Sequence, residues 1–445
     1  MKRKQILLLP LCTLLALSGL FSCGVDRWPE YYPLTGRDLW IDSVMREDYL
    51  WYDEIPAFDD LNYFQSPQEF LNQIKSDKDE FSTVDTLSTV PVPSYGFDYS
   101  LSQAPDNDTA YYAQVTYVIP DSPASEAGLE RGDWIMMVDN DYITKKNEDV
   151  LKEGGSKDIV IGQYTLQPAT EGEEAPTGVV TKDRDTVLPA SRAVNDVVVP
   201  VSKILDGGVG YIVYNSFQAS ADAEVGAFTR QCAESGVKDL VIDLRYNAGG
   251  DMESVRLWAA ALVPSANLGS TLASLTFNQK QSARNGDISI DPNLLQAQGG
   301  SNLNLSTVYF LTSGTTAGAS EMLINCLKPY MNVVMVGETT KGEYLATAGY
   351  LNESLRVVLR PVVCEVYNAN GAADYTAGFL PQYTVNGLDN PAQVLPLGNP
   401  DEALLSTALG VINGTITPGT DTGTDEEAPT ETRIKRTFRK GLILP

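Results

Sequence analysis

The side chains that could do chemistry in this chain are serine, threonine, lysine and the carboxylates, because its 445 residues include no histidine. Without imidazole the chain has no Ser-His-Asp triad, no Cys-His dyad and no histidine-ligated zinc site. A hydrolytic reaction would therefore need a lysine or a carboxylate as its general base. The candidate segments are those that place such groups at the end of a strand or at the start of a helix.

Three segments of this kind follow one another in the second half of the chain. Residues 243–250, Asp-Leu-Arg-Tyr-Asn-Ala-Gly-Gly, end an apolar run of the buried-strand type, and the paired glycines let backbone amides approach a ligand closely. Residues 315–322, Thr-Thr-Ala-Gly-Ala-Ser-Glu-Met, open a predicted helix whose N-terminal amides favour negative charge. Residues 337–343, Gly-Glu-Thr-Thr-Lys-Gly-Glu, follow a further predicted strand.

These segments resemble the motifs of the C-terminal processing, or tail-specific, serine peptidase family. The resemblance covers about residues 35–410 and implies a catalytic domain of the ClpP/crotonase type. It also implies that backbone amides at Gly249, Gly250 and Ala319 hold the oxyanion of the reaction intermediate. In the family, the first serine of Ser-Ala-Ser-Glu is the nucleophile, and the lysine of Gly-Glu-x-Thr-x-Gly-Lys is the general base.

This chain departs from the family at both positions of that dyad. The nucleophile position is Gly318 and the base position is Glu343. Glycine has no side chain that could attack a carbonyl carbon, so we interpret the dyad as lost. The alternative is an active enzyme that uses Ser320 with Lys341, although two positions along a helix rotate Ser320 by about 200° from Gly318.

A PDZ-like peptide-binding domain is predicted over residues 91–165. Residues 118–135 resemble a PDZ domain of the bacterial protease type. Upstream, Tyr95, Gly96 and Phe97 resemble the loop whose amides hold a peptide's terminal carboxylate, and the adjoining strand would pair with the peptide by β-augmentation. The alternative is a PDZ fold with a blocked groove.

The first residues predict export and a lipid anchor. A basic start precedes an apolar run over 6–21 that is too short for a transmembrane helix and leads to Cys23. We expect a signal peptide over 1–22 and acylation of Cys23, which places the protein in the bacterial cell envelope, on the periplasmic side or at the cell surface. An ordinary signal peptide cut nearby is the alternative.

The rest of the chain predicts an α/β protein. Apolar residues at helical spacing indicate a small helical N-terminal domain over 30–90, and residues 165–190 have the composition of a long surface loop. Alternating strands and helices over 195–412 predict a core with a mostly parallel sheet. Residues 413–445 are predicted to be a disordered tail with a solvated basic end.

Composition restricts the partners. A net charge of −26 argues against nucleic acid, which needs a surplus of lysine and arginine. Cys232, Cys326 and Cys364 are too widely spaced for a disulfide framework or a metal motif, so buried structural thiols are expected and no cofactor is implied. The predicted function is binding of peptides or protein C-termini by a catalytically impaired homologue. The alternatives are an active serine endopeptidase that processes C-terminal tails, and a scaffold whose cleft binds nothing.

Overall fold

The structure is a computed structural model that describes residues 28–87, 92–105, 107–167, 177–417, 431–432 and 440–445. The predicted signal peptide over 1–22 and the predicted acylation site Cys23 lie outside the described residues. Across the described segments, every helix is too short or too polar to cross a membrane.

The N-terminal domain contains two α-helices, α1 (Trp28–Asp48) and α2 (Pro67–Ile74). Helix α2 begins at a capping box, in which Ser66 and Glu69 each accept a hydrogen bond from the other's amide. The domain also supplies a strand, β1 (Thr83–Thr86), which pairs antiparallel with the strand over Val357–Arg360 of the α/β core. It is therefore attached to that core by backbone hydrogen bonds as well as by apolar contacts.

An antiparallel sheet with one short helix forms the PDZ domain. Its elements are β2 (Phe97–Ala104), β3 (Asn107–Val118), α3 (Pro123–Glu126), β4 (Trp134–Val138), β5 (Asp141–Tyr142), β6 (Lys157–Gln167) and β7 (Thr177–Leu188). The strand order is β2-β3-β4-β6-β7, with β5 paired to β4. Strand β2 therefore lies at an edge of the domain's own sheet.

The predicted surface loop over 165–190 is wrong for the described residues of that segment. Strands β6 and β7 pair antiparallel from Lys157 opposite Leu188 to Gln167 opposite Thr177. The residues that connect them, 168–176, lie outside the described part. The prediction failed because the polar side chains of this hairpin are compatible with a solvent-facing sheet, where cross-strand pairing supplies the stability.

The core is built on two six-stranded sheets. The first contains β8 (Val201–Ile204), β9 (Gly210–Val213), β10 (Leu240–Asp243), β14 (Thr307–Thr312), β15 (Asn332–Gly337) and β20 (Tyr383–Thr384). Its order is β20-β15-β14-β10-β9-β8, and every pairing is parallel except that of β8 with β9. The prediction of a mostly parallel sheet is confirmed here.

The second sheet is mixed. It contains β11 (Gly249–Asp251), β12 (Thr271–Phe277), β13 (Gly286–Ser289), β16 (Leu345–Thr347), β19 (Val362–Asn368) and β22 (Gly441–Ile443). Its order is β11-β22-β16-β19-β12-β13, in which β22 pairs parallel with both neighbours. Two further strands, β17 (Tyr350–Asn352) and β18 (Val357–Arg360), form a small sheet with β1 in the order β1-β18-β17.

Helices pack on the two sheets around two apolar clusters. The larger cluster receives side chains from α4 (Asp222–Glu234), α5 (Met252–Leu262), α6 (Pro292–Ala297) and α7 (Ala319–Leu327), and the second receives them from α8 (Ala403–Ile412). All nine residues of α7 are buried, so it runs through the interior. Cys232, Cys326 and Cys364 are buried free thiols, as predicted.

The last residues of the chain correct the prediction of a disordered tail with a solvated end. Strand β22 is buried and lies between β11 and β16 in the interior of the second sheet. A second short strand of the tail, β21 (Glu431–Thr432), pairs with the edge strand β2 of the PDZ domain. The prediction failed because the apolar run over 442–444 is short and its partners lie far away in sequence.

Candidate active site

A tight turn between β10 and β11 forms one wall of the candidate site. Asn247 orders it, because its side-chain amide donates to the Tyr214 carbonyl at 2.8 Å while its Oδ1 accepts from the Gly249 amide at 2.9 Å. The Asn247 carbonyl accepts from the Ala317 amide at 3.1 Å, which joins the turn to the start of α7. The predicted turn and the predicted helix start therefore lie side by side.

Gly318 is the N-cap of helix α7 and has a φ of 53°. Glu321, in the first turn, is fully buried and its carboxylate accepts from the Gly318 amide at 3.2 Å. The same carboxylate accepts from the amides of Gly342 and Glu343, both at 2.7 Å, and from the Thr340 hydroxyl at 2.5 Å. Glu321 thus fixes the segment 340–343 against the helix start.

These contacts bring Gly318 and Glu343 to the same site. Glu343 is 9% exposed, and burial, together with the nearby charge of Glu321, raises the pKa of its carboxyl group to about 8. Lys341 and Lys440 oppose this shift of the pKa. At neutral pH the carboxyl group at the predicted base position is therefore mostly protonated and is a hydrogen-bond donor rather than a base.

The fallback pair occupies two different environments. Ser320 is fully buried, and its hydroxyl donates to the Asn247 carbonyl at 3.3 Å. Lys341 is exposed, and its backbone amide donates to the Thr316 carbonyl at 2.9 Å. The two residues lie on neighbouring segments, but each is held by partners of its own.

One of the predicted oxyanion amides, that of Gly250, faces a strand of the chain itself, whereas the Gly249 amide donates to Asn247. Gly249 lies opposite Gly441 in the parallel pairing of β11 with β22, and Gly250 lies opposite Leu442. The Gly441 amide donates to the Ala248 carbonyl at 2.7 Å. In a parallel ladder that starts with this bond, the Gly250 amide faces the Gly441 carbonyl. Ala319 is the first residue of α7 and follows Gly318 directly.

The predicted carboxylate loop of the PDZ domain is buried and internally bonded. Tyr95 and Phe97 are fully buried side chains. The Tyr95 amide donates to the Lys152 carbonyl at 3.3 Å, and the Gly96 amide donates to the Ser94 hydroxyl at 3.0 Å. The edge of β2 that follows the loop pairs with β21, a strand of the chain's own tail.

A buried group of charges links the PDZ domain to the core. Arg131 of the PDZ domain donates to Glu402 at 3.3 Å and to the Tyr246 hydroxyl at 2.9 Å. Arg245 makes two hydrogen bonds to the same Glu402, at 2.5 and 2.9 Å, and also pairs with Asp243. The arginines hold the pKa of Glu402 down at about 2 against the opposing effect of burial.

Comparisons with known proteins agree with this architecture. Residues 208–385 match the model of peptidase family S41, residues 38–83 match the peptidase S41 N-terminal domain, and residues 114–158 match a PDZ domain. A crystal structure of a Bacteroides fragilis protein assigned to the S41 proteases is 43% identical, with a TM-score of 0.80, over 85% of this chain and 98% of that one. The chain belongs to peptidase family S41.

Curated relatives of this S41 chain are carboxyl-terminal-processing proteases. The protease from Synechocystis is 28% identical over 50% of this chain and 48% of its own length. The processing protease CtpB of Bacillus subtilis is 25% identical over 50% of this chain and 42% of its own length. The S41 chain therefore spans about half the length of these relatives.

Two features of the S41 chain were missed by sequence reasoning. The role of Glu321 as the acceptor that joins α7 to 340–343 could have been suggested by its position at the third residue of a helix, where a capping carboxylate is common. The tail strand β22 carries a weaker signal, an apolar run next to Gly441 at the chain end. Within the described residues, no cluster of three or more cysteine and acidic side chains could hold a metal ion.

Proposed function

We propose that this S41 protein is a lipid-anchored receptor for peptides or protein C-termini that lacks the hydrolytic activity of its family. The observation that carries the proposal is the presence of Gly318 and Glu343 together at the nucleophile and base positions. A glycine offers no attacking group, so a carboxylate at Glu343 would have no nucleophile to activate.

The binding part of the proposal is supported by the backbone of the cleft. The cleft lies between the turn at Gly249 and Gly250 on one side and strand β16 on the other. Both sides present backbone N–H and C=O groups that pair with an extended segment between them. The edge of β2 offers a second place for strand pairing. Main-chain pairing of this kind recognises extended peptides with little dependence on their side chains. The names of the relatives suggest that C-terminal segments are the ligands.

The alternative of an active serine endopeptidase would have to use Ser320 and Lys341. It is less well supported, because the buried Ser320 hydroxyl already donates to Asn247 and the amine of Lys341 belongs to an exposed side chain. Activation of the serine would require both groups to leave these environments.

Attachment to a membrane would come from acylation of Cys23 after removal of residues 1–22. Metabolic labelling with a radioactive fatty acid tests this part of the proposal. We expect the full chain to be labelled and Cys23→Ser to be unlabelled, and equal labelling of the two would refute the anchor.

The binding function is tested with the mature protein and a fluorescent peptide that ends in apolar residues. We expect saturable binding, with the peptide recovered at unchanged mass. If the loop at Tyr95, Gly96 and Phe97 receives the terminal carboxylate, an amidated copy of the peptide will bind more weakly. A cleaved peptide, or the absence of any binding, would contradict the proposed function.

A further inference from the structure

We infer that the C-terminal segment of the chain, residues 440–445, is an intramolecular ligand that excludes other peptides from the cleft, and that the cleft selects a glycine followed by apolar residues. The inference rests on the proposed function, because it treats the cleft as a peptide-binding site. It adds a regulatory step, displacement of the tail, and a ligand class to that function.

The tail is held in the cleft as a bound peptide would be. Its backbone makes ladder bonds on both sides, with the Gly441 amide donating to Ala248 at 2.7 Å and the Leu444 amide donating to Thr347 at 2.9 Å. The Thr347 hydroxyl donates to the Leu442 carbonyl at 3.2 Å. Pairing of an added strand with exposed ladder groups is a general mode of peptide recognition.

The tail also occupies the reaction position of the family. The Gly441 amide bonds to the turn whose amides are the predicted oxyanion donors, and the ladder directs the Gly250 amide at the Gly441 carbonyl. Gly441 therefore takes the place of the residue whose carbonyl would be attacked in an active relative. A purely structural strand would not need to place a carbonyl group opposite the Gly250 amide.

Two glycines make this close approach possible. A Cβ atom on Gly318 would lie 2.2 Å from the Gly441 carbonyl carbon, and a Cβ atom on Gly441 would lie 2.3 Å from Oε1 of Glu343. Gly441 also has a φ of 83°, which side chains other than glycine rarely adopt. The tail thus fills the space that a catalytic serine side chain would need, and it depends on the substitution at position 318.

Apolar burial and a second attachment hold the tail in place. Leu442 is fully buried, and Ile443 and Leu444 are 4% and 7% exposed, so removal of these apolar side chains from water stabilises the tail in the cleft. Upstream, β21 pairs antiparallel with β2, with Thr432 opposite Tyr99. The same tail therefore reaches the peptide-binding edge of the PDZ domain and the cleft of the core, which raises its effective concentration at both.

The test compares four forms of the mature protein with one labelled peptide, Arg-Lys-Gly-Leu-Ile-Leu-Pro. The forms are the full chain, a chain that ends at residue 439, Gly441→Val and the control Pro445→Ala, which changes an exposed residue outside β22. The truncated chain and Gly441→Val should bind the peptide at least about tenfold more tightly than the other two, because a site occupied nine-tenths of the time loses that factor in apparent affinity. A peptide with valine in place of glycine should not compete.

Each other outcome counts against the inference. Equal binding to all four forms would overturn the inference and leave peptide binding intact, whereas binding to none would overturn both. Competition by the valine peptide would overturn the selection of glycine. If neither tail variant folds, hydrogen exchange of the full chain decides. Protection of the Leu442–Leu444 amides that is lost with excess peptide supports displacement, and protection that persists identifies a purely structural strand.

Discussion

Glu343, the residue at the predicted position of the family's lysine, is a glutamate in an unusual environment. It is buried beside a second carboxylate, Glu321, which accepts the Glu343 amide at 2.7 Å. Burial, and then the charge of Glu321, raise the pKa of Glu343 to about 8. Since the Glu343 carboxyl group lies close to Gly441, its protonation state should also influence how the tail is held.

The raised pKa of Glu343 predicts a pH dependence of stability. Because the folded state holds this proton more tightly than the unfolded chain, its contribution is fully present below about pH 4.5 and is lost as the pH rises through about 8. The loss in the free energy of unfolding should be on the order of a few kcal/mol. Denaturant titrations between about pH 5 and about pH 9 measure it.

Glu343→Gln mimics the protonated carboxyl group and should flatten that pH profile. Glu353→Gln is the matched control. Because Glu353 is exposed, this substitution should leave the pH dependence of the free energy of unfolding as it is in the wild-type protein. A Glu343→Gln variant with the unchanged wild-type slope would show that Glu343 is ionised across the range.

At the scale of elements, the orientation of the PDZ domain on the core depends on the buried group formed by Arg131, Glu402 and Arg245. Glu402 caps α8, because it accepts the Leu405 amide at 3.1 Å, and it receives both arginines at the same time. A buried carboxylate between two guanidinium groups has few alternative partners. Arg131 of the PDZ domain is therefore connected through Glu402 to Arg245, which lies in the turn of the candidate site.

Glu402→Ala should destabilise the protein by about 3–5 kcal/mol, because it leaves buried guanidinium charge without its partner. Urea unfolding measures the change in the free energy of unfolding. Glu126→Ala is the control, since Glu126 pairs with Arg192 at the surface and such pairs contribute about 1 kcal/mol or less. A similar small loss in both variants would contradict the structural importance of this group.

Local sequence patterns were sufficient for many elements and insufficient for others. The core has the alternation of strands and helices predicted over 195–412, as in β10, α5 and β14, because the apolar pattern of each is decided within a few residues. The hairpin of β6 and β7 was missed because its residues are polar and its stability comes from pairing. The strand at 441–443 was missed because its partners lie about a hundred residues or more away along the chain.

At the scale of the whole molecule, the C-terminal tail connects the PDZ domain with the core. The tail meets the PDZ domain at β2 and the core between β11 and β16, so both predicted binding surfaces are reached by a single segment. The sequence indicated the motifs, and their order predicted that residues 249–250, 318 and 343 would share one site. It could not indicate that the chain's own end lies there, because strand pairing between distant segments leaves little local signal.

The central claim, that this S41 protein binds without cleaving, is tested most directly by incubating the mature protein with an unstructured protein that has an apolar C-terminus and measuring product masses. The wild type and Ser320→Ala should both leave it intact. The positive control is the double variant Gly318→Ser/Glu343→Lys in a chain that ends at residue 439, because the tail fills the space that a side chain at 318 needs. It should exceed either single variant of the same length by about 10²-fold or more. Cleavage by the wild type that is abolished in Ser320→Ala would contradict the account.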